Sequence, residues 1–254
     1  MTVKEFYRFL NTKIPPSLSE EWDNDGLSIC PCATRPVCRV LVALDPTSEA
    51  VTRAVEGGFD VLLTHHPLLF RAAKALTEEE TVGKKLLQLA AAGVTAMSFH
   101  TRLDAVEGGV NDILARALSL TEITPFGEGQ ALLGRMGVLS EAMSAEAFAH
   151  FVKDKLSAPA VVLSGEGTVK RVAVLGGEGG DFVSAAAAAG ADAFVSGRIG
   201  YHRMLDGREN SMVLLEAGHY STEFPVCAAL AKMVREADAE IEIEILGTDV
   251  LRVV

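Results

Sequence analysis

The chain has 254 residues, of which 49% are apolar and 22% charged, with a net charge of -11. This is the composition of a compact α/β protein, and the acidic balance argues against duplex nucleic acid or an anionic membrane as a bulk partner. No run of about 18 apolar residues is present to span a bilayer, the start Met1–Arg8 lacks a signal-peptide core, and four cysteines are too few for a disulfide scaffold. A cytoplasmic chain with reduced thiols is expected.

Taken in chain order, Thr2-x-x-Glu5 reads as a capping box opening a helix with Val3, Phe6, Tyr7 and Leu10 on its apolar face, ended by Pro15-Pro16. Glu21 to Leu27 is turn chemistry, with Trp22 expected to anchor the loop on the core. Asp23 and Asp25 are expected to close this turn on themselves, the other reading being that they reach a metal site. Arg39–Asp45 is a strand, Ser48–Glu56 a helix closed by Gly57-Gly58, and Val61–Thr64 a second strand. This is a β-α-β unit with parallel strands. A helix over Thr81–Ala92 capped by Gly93, a strand over Val94–Phe99 and a helix over Val110–Leu118 follow.

Residues 124–169 have a different texture. Gly127, Gly129, Gly134 and Gly137 punctuate short strands, and a helix runs through Phe148, Phe151, Val152 and Leu156 with His150 on its exposed side. The earlier pattern then returns: a strand Arg171–Leu175, a tight glycine turn over 176–180, an alanine helix Phe182–Ala189, and Gly190–Ser196 matching Gly58–Thr64 at a constant offset of 132. A helix through Val226, Leu230 and Val234 precedes the alternating tail Glu240–Ile245, an edge strand. The spacing predicts an α/β fold of two similar α/β domains from an internal duplication, with mixed sheets flanked by helices. The expected divisions are a first half over 1–123, an accessory or connecting segment over 124–169, and a second half over 170–254.

Chemistry concentrates at strand ends. Val61–Thr64 runs directly into His65-His66, and Pro67 stops the strand. Two further apolar runs end in His-x3-acid, His100 to Asp104 and His219 to Glu223. In parallel-rich α/β sheets, sites form beyond the carboxyl ends of strands. If the halves face one another, His65, His66, Asp104, His219 and Glu223 converge. That is too many ligands for one four-coordinate ion. They suit two divalent ions about 3.5–4 Å apart, with a carboxylate bridging them and an activated water as nucleophile. Mixed nitrogen and oxygen ligation favours Zn, Mn, Fe, Co or Ni.

These motifs resemble those of the Nif-three-like family, the GTP cyclohydrolase 1 type 2 homologues. The resemblance runs over nearly the whole chain. It is carried by Glu21-Trp22-Asp23-Asn24 with Gly26-Leu27, Ala43-Leu44-Asp45, Thr64-His65-His66-Pro67-Leu68, His100-Thr101 with Leu103-Asp104, Gly109-Val110-Asn111-Asp112, Tyr201-His202, and Ala217 to Glu223. It implies two similar α/β domains, a dinuclear metal centre and a toroidal homohexamer. It assigns His65 and Asp104 to one ion, His66 and His219 to the other, and Glu223 as the bridge. The chain departs from the family at Arg198, where an acid is usual, and at Arg102, where Asn is common. The expected function is metal-dependent hydrolysis of a nucleotide or similar small molecule. His100 and His202 are the proton shuttles, and Arg102, Arg198 and Tyr201 are substrate contacts. A metal-binding chaperone or ring-shaped adaptor is the alternative, and a nucleic-acid clamp the weakest reading.

Overall fold

The computed structural model describes residues 1–127 and 132–254, so Gly129 lies outside the described residues. Two compact units emerge, one from Met1–Val106 with Val226–Thr248, the other from Glu107–Pro225 with Asp249–Val254. The first opens on α1 (Val3–Lys13), where the Thr2 hydroxyl accepts from the Glu5 amide and the Glu5 carboxylate accepts from the Thr2 amide. The capping box therefore forms as its sequence predicts. Next come β1 (Gly26–Ile29), β2 (Arg39–Ala43), α2 (Ser48–Glu56), β3 (Val61–Thr64), α3 (Thr81–Ala92), β4 (Thr95–Ser98) and a single turn, α4 (Thr101–Ala105). Gly93 ends α3 in the left-handed conformation that glycine adopts without a Cβ penalty.

The second unit holds α5 (Val110–Ala117), β5 (Thr121–Phe126), β6 (Gly134–Ser144), α6 (Ala145–Lys155), β7 (Val162–Ser164), β8 (Thr168–Glu178), α7 (Val183–Ala188), β9 (Ala193–Arg198), α8 (Tyr201–Glu209), β10 (Val213–Glu216) and another single turn, α9 (His219–Glu223). The chain then returns to the first unit through α10 (Val226–Ala237) and β11 (Glu242–Leu246). The sheets run β1-β4-β3-β2-β11 and β5-β6-β8-β9-β10-β7. Both are mixed: β4-β3-β2-β11 and β8-β9-β10 pair in parallel, and the remaining strands are antiparallel.

Three features of the sequence-based division differ from this arrangement. Residues 107–123, α5 among them, belong to the second unit rather than to a first half ending at 123. β5, β6 and α6 are integral to the second unit, because β6 pairs with β8 and Phe148 and Val152 of α6 pack in the same core as Val172 and Val174. The C-terminal edge strand joins the first sheet, with β11 beside β2. α10 leads into β11 and packs against both β11 and β2.

Strand alternation decides which face each helix covers. Leu41, Ala43 and Leu62 meet Val51 of α2 and Leu86 and Leu89 of α3. In the second sheet Val172, Val174 and Val195 meet α5 and α6, while Ala173, Leu175 and Phe194 meet Val183 and Ala186 of α7 and Met204 of α8.

The internal repeat extends to register. Val40 pairs with Val61 as Val172 pairs with Ala193, each residue shifted by the same 132. Asp60 accepts from the amides of Cys38 and Arg39, and Asp192 accepts from those of Lys170 and Arg171. Arg39 donates to the Gly57 carbonyl as Arg171 does to that of Ala189. The same carboxylate seals the same strand start in both units.

Candidate metal centre

His65 and His66 follow β3 without a break. The His66 amide donates to the Leu44 carbonyl, and the Thr64 hydroxyl donates to the His66 carbonyl at 2.7 Å, so both bonds fix the His66 backbone at the corner. His65 is fully buried, with Nδ1 2.9 Å from the Phe99 carbonyl oxygen. A carbonyl can only accept, which places the proton on Nδ1 and the lone pair on Nε2. His66 Nδ1 lies 2.8 Å from Asp45 Oδ1, and His100 Nδ1 lies 2.9 Å from Asp23 Oδ1. Their tautomers follow by the same argument. All three imidazoles are thus held at Nδ1 by an oxygen, the arrangement that orients metal-ligating histidines.

The three rings are close: centroids lie 4.7 Å apart for His65 and His66, 5.3 Å for His65 and His100, and 5.5 Å for His66 and His100. Each offers a donor atom within 4.8 Å of the others, a group that could hold a metal ion. Asp104, on α4, places Oδ1 3.7 Å from His65 Nε2. Nitrogen donors with a carboxylate beside them fit a first-row divalent ion. His100, expected only to move protons, therefore stands among the ligand-capable imidazoles.

The Trp22 loop differs from expectation. Asp23 does bond within its own turn, accepting from the Asn24 amide, but it and Asp25 also reach the start of α4. Asp23 accepts from the Thr101 amide and hydroxyl as well as from His100. Asp25 accepts from the His100 amide and from Arg102 Nε at 2.7 Å. Burial alone would raise the Asp23 carboxyl, but the hydrogen bonds from His100 and Thr101 outweigh it and hold it at about 2. Trp22 does not anchor on the core; it is 61% exposed. The polar bonds of its neighbours already fix the loop.

Arg102, expected to meet substrate, is 1% exposed. It donates to Asp25, Asn11 and the Ile14 carbonyl and stacks on Phe99, with its guanidinium carbon 4.4 Å from the ring centroid. Nε and Nη1 are both engaged within the fold. The positive charge is consumed inside the fold.

The second unit holds the other predicted pair on one turn. His219 opens α9 and Glu223 closes it, with His219 Nε2 2.9 Å from Glu223 Oε2. Their surroundings explain two glycines. A Cβ on Gly177, where φ is +66°, would stand 2.2 Å from Glu223 Oε1, and one on Gly197 would stand 2.7 Å from the His219 Cα. Gly197 occupies the position that His65 occupies in the first repeat, and it is glycine because α9 lies against it. Asn111 braces the same wall, accepting from the Gly176 amide and donating to the Leu133 carbonyl. Asp112 accepts from the Gly108 amide and from Arg135.

The two His-x3-acid elements are not equivalent residue for residue. Thr64 pairs with Ser98 and Ser196 with Glu216, so His219 matches Thr101 rather than His100. His100 precedes its turn and His219 begins its own. Arg198, Tyr201 and His202 are exposed, Arg198 at the end of β9 and 4.0 Å from Glu178, the other two at the start of α8. Sequence reasoning missed Asp45, Gly177 and Gly197 as parts of the site. The positive-φ need at Gly177 was legible only as a turn.

Known proteins are similar to this chain over nearly their full lengths. A Clostridium perfringens protein named GTP cyclohydrolase 1 type 2 homolog is 30% identical over 250 residues, covering 95% of either chain. One of the same name from Methanocaldococcus jannaschii is 32% identical over 252 residues, covering 98% of this chain and 100% of the relative. Among solved structures, a Staphylococcus aureus hypothetical protein superposes with a TM-score of 0.90 at 28% identity, covering 100% of this chain and 99% of that one. Reduced HcgD from Methanocaldococcus jannaschii gives 0.83 at 29% identity, covering 98% of each chain. A family model matches residues 1–251, and the chain belongs to that family, Duf34/NIF3 (NGG1p interacting factor 3).

Proposed function

We propose that the protein is a divalent-metal-dependent hydrolase of a nucleotide or similar anionic small molecule. One observation carries the reading: His65, His66 and His100 are each held at Nδ1 by a fixed oxygen, and each offers a ring nitrogen within 4.8 Å of those of the other two. By the family resemblance, His65, Asp104, His66, His219 and Glu223 would hold two divalent ions. The chemistry such a site would supply is Lewis acidity and a water with its pKa lowered toward about 7. The chain's own residues orient and exclude. Asp45 and the Phe99 carbonyl hold the paired imidazoles, and Asp23 holds His100 so that Nε2 carries either a ligand lone pair or a transferable proton. Arg198, Tyr201 and His202 are exposed candidates for substrate contact in the second unit.

The names of the relatives make GTP the first nucleotide to test. Metal-dependent turnover of GTP or another nucleotide, abolished in Glu223→Ala with the fold intact, is the expected result. Protein filled with metal that turns over no nucleotide or phosphoester would reject the hydrolase and favour metal storage or transfer. The same reading includes a homohexamer, which sedimentation of the intact chain tests directly.

A further inference from the structure

The first unit carries an aromatic cluster that the fold does not need. Trp22 is 61% and Phe70 50% exposed, yet their rings lie 6.0 Å apart, and each stands about as far from His100, at 6.2 and 6.1 Å. Burying such rings is among the larger favourable terms open to a fold. Here both loops are positioned by polar bonds instead: Asn24 Nδ2 donates to the Leu69 carbonyl, and Asp23 accepts from His100 and Thr101. The aromatics are left facing out beside an imidazole of the metal-capable group.

The loop bearing Phe70 belongs to only one of the two repeats. In the second unit only Ile199 and Gly200 separate β9 from α8, whereas residues 65–80 separate β3 from α3. That extra length lines an open pocket of about 530 Å³, within the range of small-molecule sites. Leu68, Phe70 and Val82 give it an apolar wall, and Arg71 and Lys74 outnumber Glu80. In a chain of net charge -11, that local excess of cations is a distinct feature.

We propose that Trp22 and Phe70 seat the flat heteroaromatic ring of a phosphate-bearing ligand beside His100, with Arg71 and Lys74 receiving the phosphates. Every base has a π-face, so exposed aromatic side chains bind it without needing a particular hydrogen-bond pattern. Arginine and lysine then give charge-assisted bonds to the phosphate oxygens. The assignment deepens the nucleotide reading above and rests on it for the kind of ligand, but it uses different side chains and requires no metal.

Trp22 is the single tryptophan of the chain, so its emission reports on the site directly. Full-length, metal-depleted protein is titrated with GTP, guanosine and inorganic triphosphate. GTP and guanosine are expected to quench Trp22 saturably and triphosphate is not. Phe70→Leu, at an exposed position, is expected to weaken GTP binding about tenfold or more. Trp22→Leu, followed by calorimetry, should do the same. Replacing Arg71 and Lys74 by Ala should weaken GTP more than guanosine. Emission indifferent to GTP, or GTP affinity unchanged in both aromatic variants, would overturn the assignment. Quenching without hydrolysis by metal-loaded protein would keep this site and reject the hydrolase. Hydrolysis with an unchanged KM in Phe70→Leu would do the reverse.

Discussion

At the scale of single residues, the first unit spends its buried charge on orientation. Arg102 and Asp25 form a buried ion pair, 1% and 7% exposed, behind the start of α4. Removing one partner strands the other charge, which typically costs about 3–5 kcal/mol. Arg102→Met should therefore lower unfolding free energy by about that amount in urea titration; a variant of native stability with impaired ligand binding would return Arg102 to a substrate role. Asp45 and Asp23 act through the histidines they hold. Asp45→Ala and Asp23→Ala are each expected to weaken metal affinity about 10–100-fold while leaving the stoichiometry reachable at high metal. Titration with a competing chelator measures this. The folded Asp23 carboxyl sits at about 2, below its ordinary 3.8, so its contribution is complete above 3.8 and lost as pH falls toward 2. Acid unfolding of Asp23→Asn should lack that component, and identical acid profiles for the two proteins would contradict the hydrogen-bond geometry.

At the scale of elements, the site depends on glycine strands making room for one helical turn. Gly197→Ala would push its Cβ to 2.6 Å from the Gly177 carbonyl and 2.7 Å from the His219 backbone. Overpacking of this kind costs about 1–3 kcal/mol and displaces what it touches. A lower Tm with reduced metal content is expected; a stable, fully loaded variant would show that α9 does not rest there. These elements also mark how much was legible beforehand. The β-α-β units, the repeat and the strand-end histidines could be read because hydrophobic runs and their stops are local in sequence. The tautomer-fixing partners could not, since Asp45 lies 21 residues from His66 and Asp23 lies 77 from His100. Trp22 was misjudged for a related reason: a large apolar residue reads as core unless the polar bonds that already fix its loop are visible. The return of α10 and β11 to the first sheet was hidden because a sequence pattern states that a strand exists, not which strand it joins.

At the scale of the molecule, two α/β units repeat one plan and then diverge where it matters chemically. The first repeat puts His65-His66 after its central strand, and the second puts Gly197-Arg198 there, giving the space to α9. Ligand-capable residues therefore sit at the carboxyl ends of strands in both units, the usual place for sites in such sheets. Among the described residues no helix is long and apolar enough to cross a membrane. The central proposal is a dinuclear metal centre. Elemental analysis of protein purified without chelator, expressed as ions per chain, tests it most directly. The account predicts two divalent ions per chain, with loss of metal in both His65→Ala and Glu223→Ala. Protein that retains no metal, or a single ion indifferent to Glu223→Ala, would contradict it.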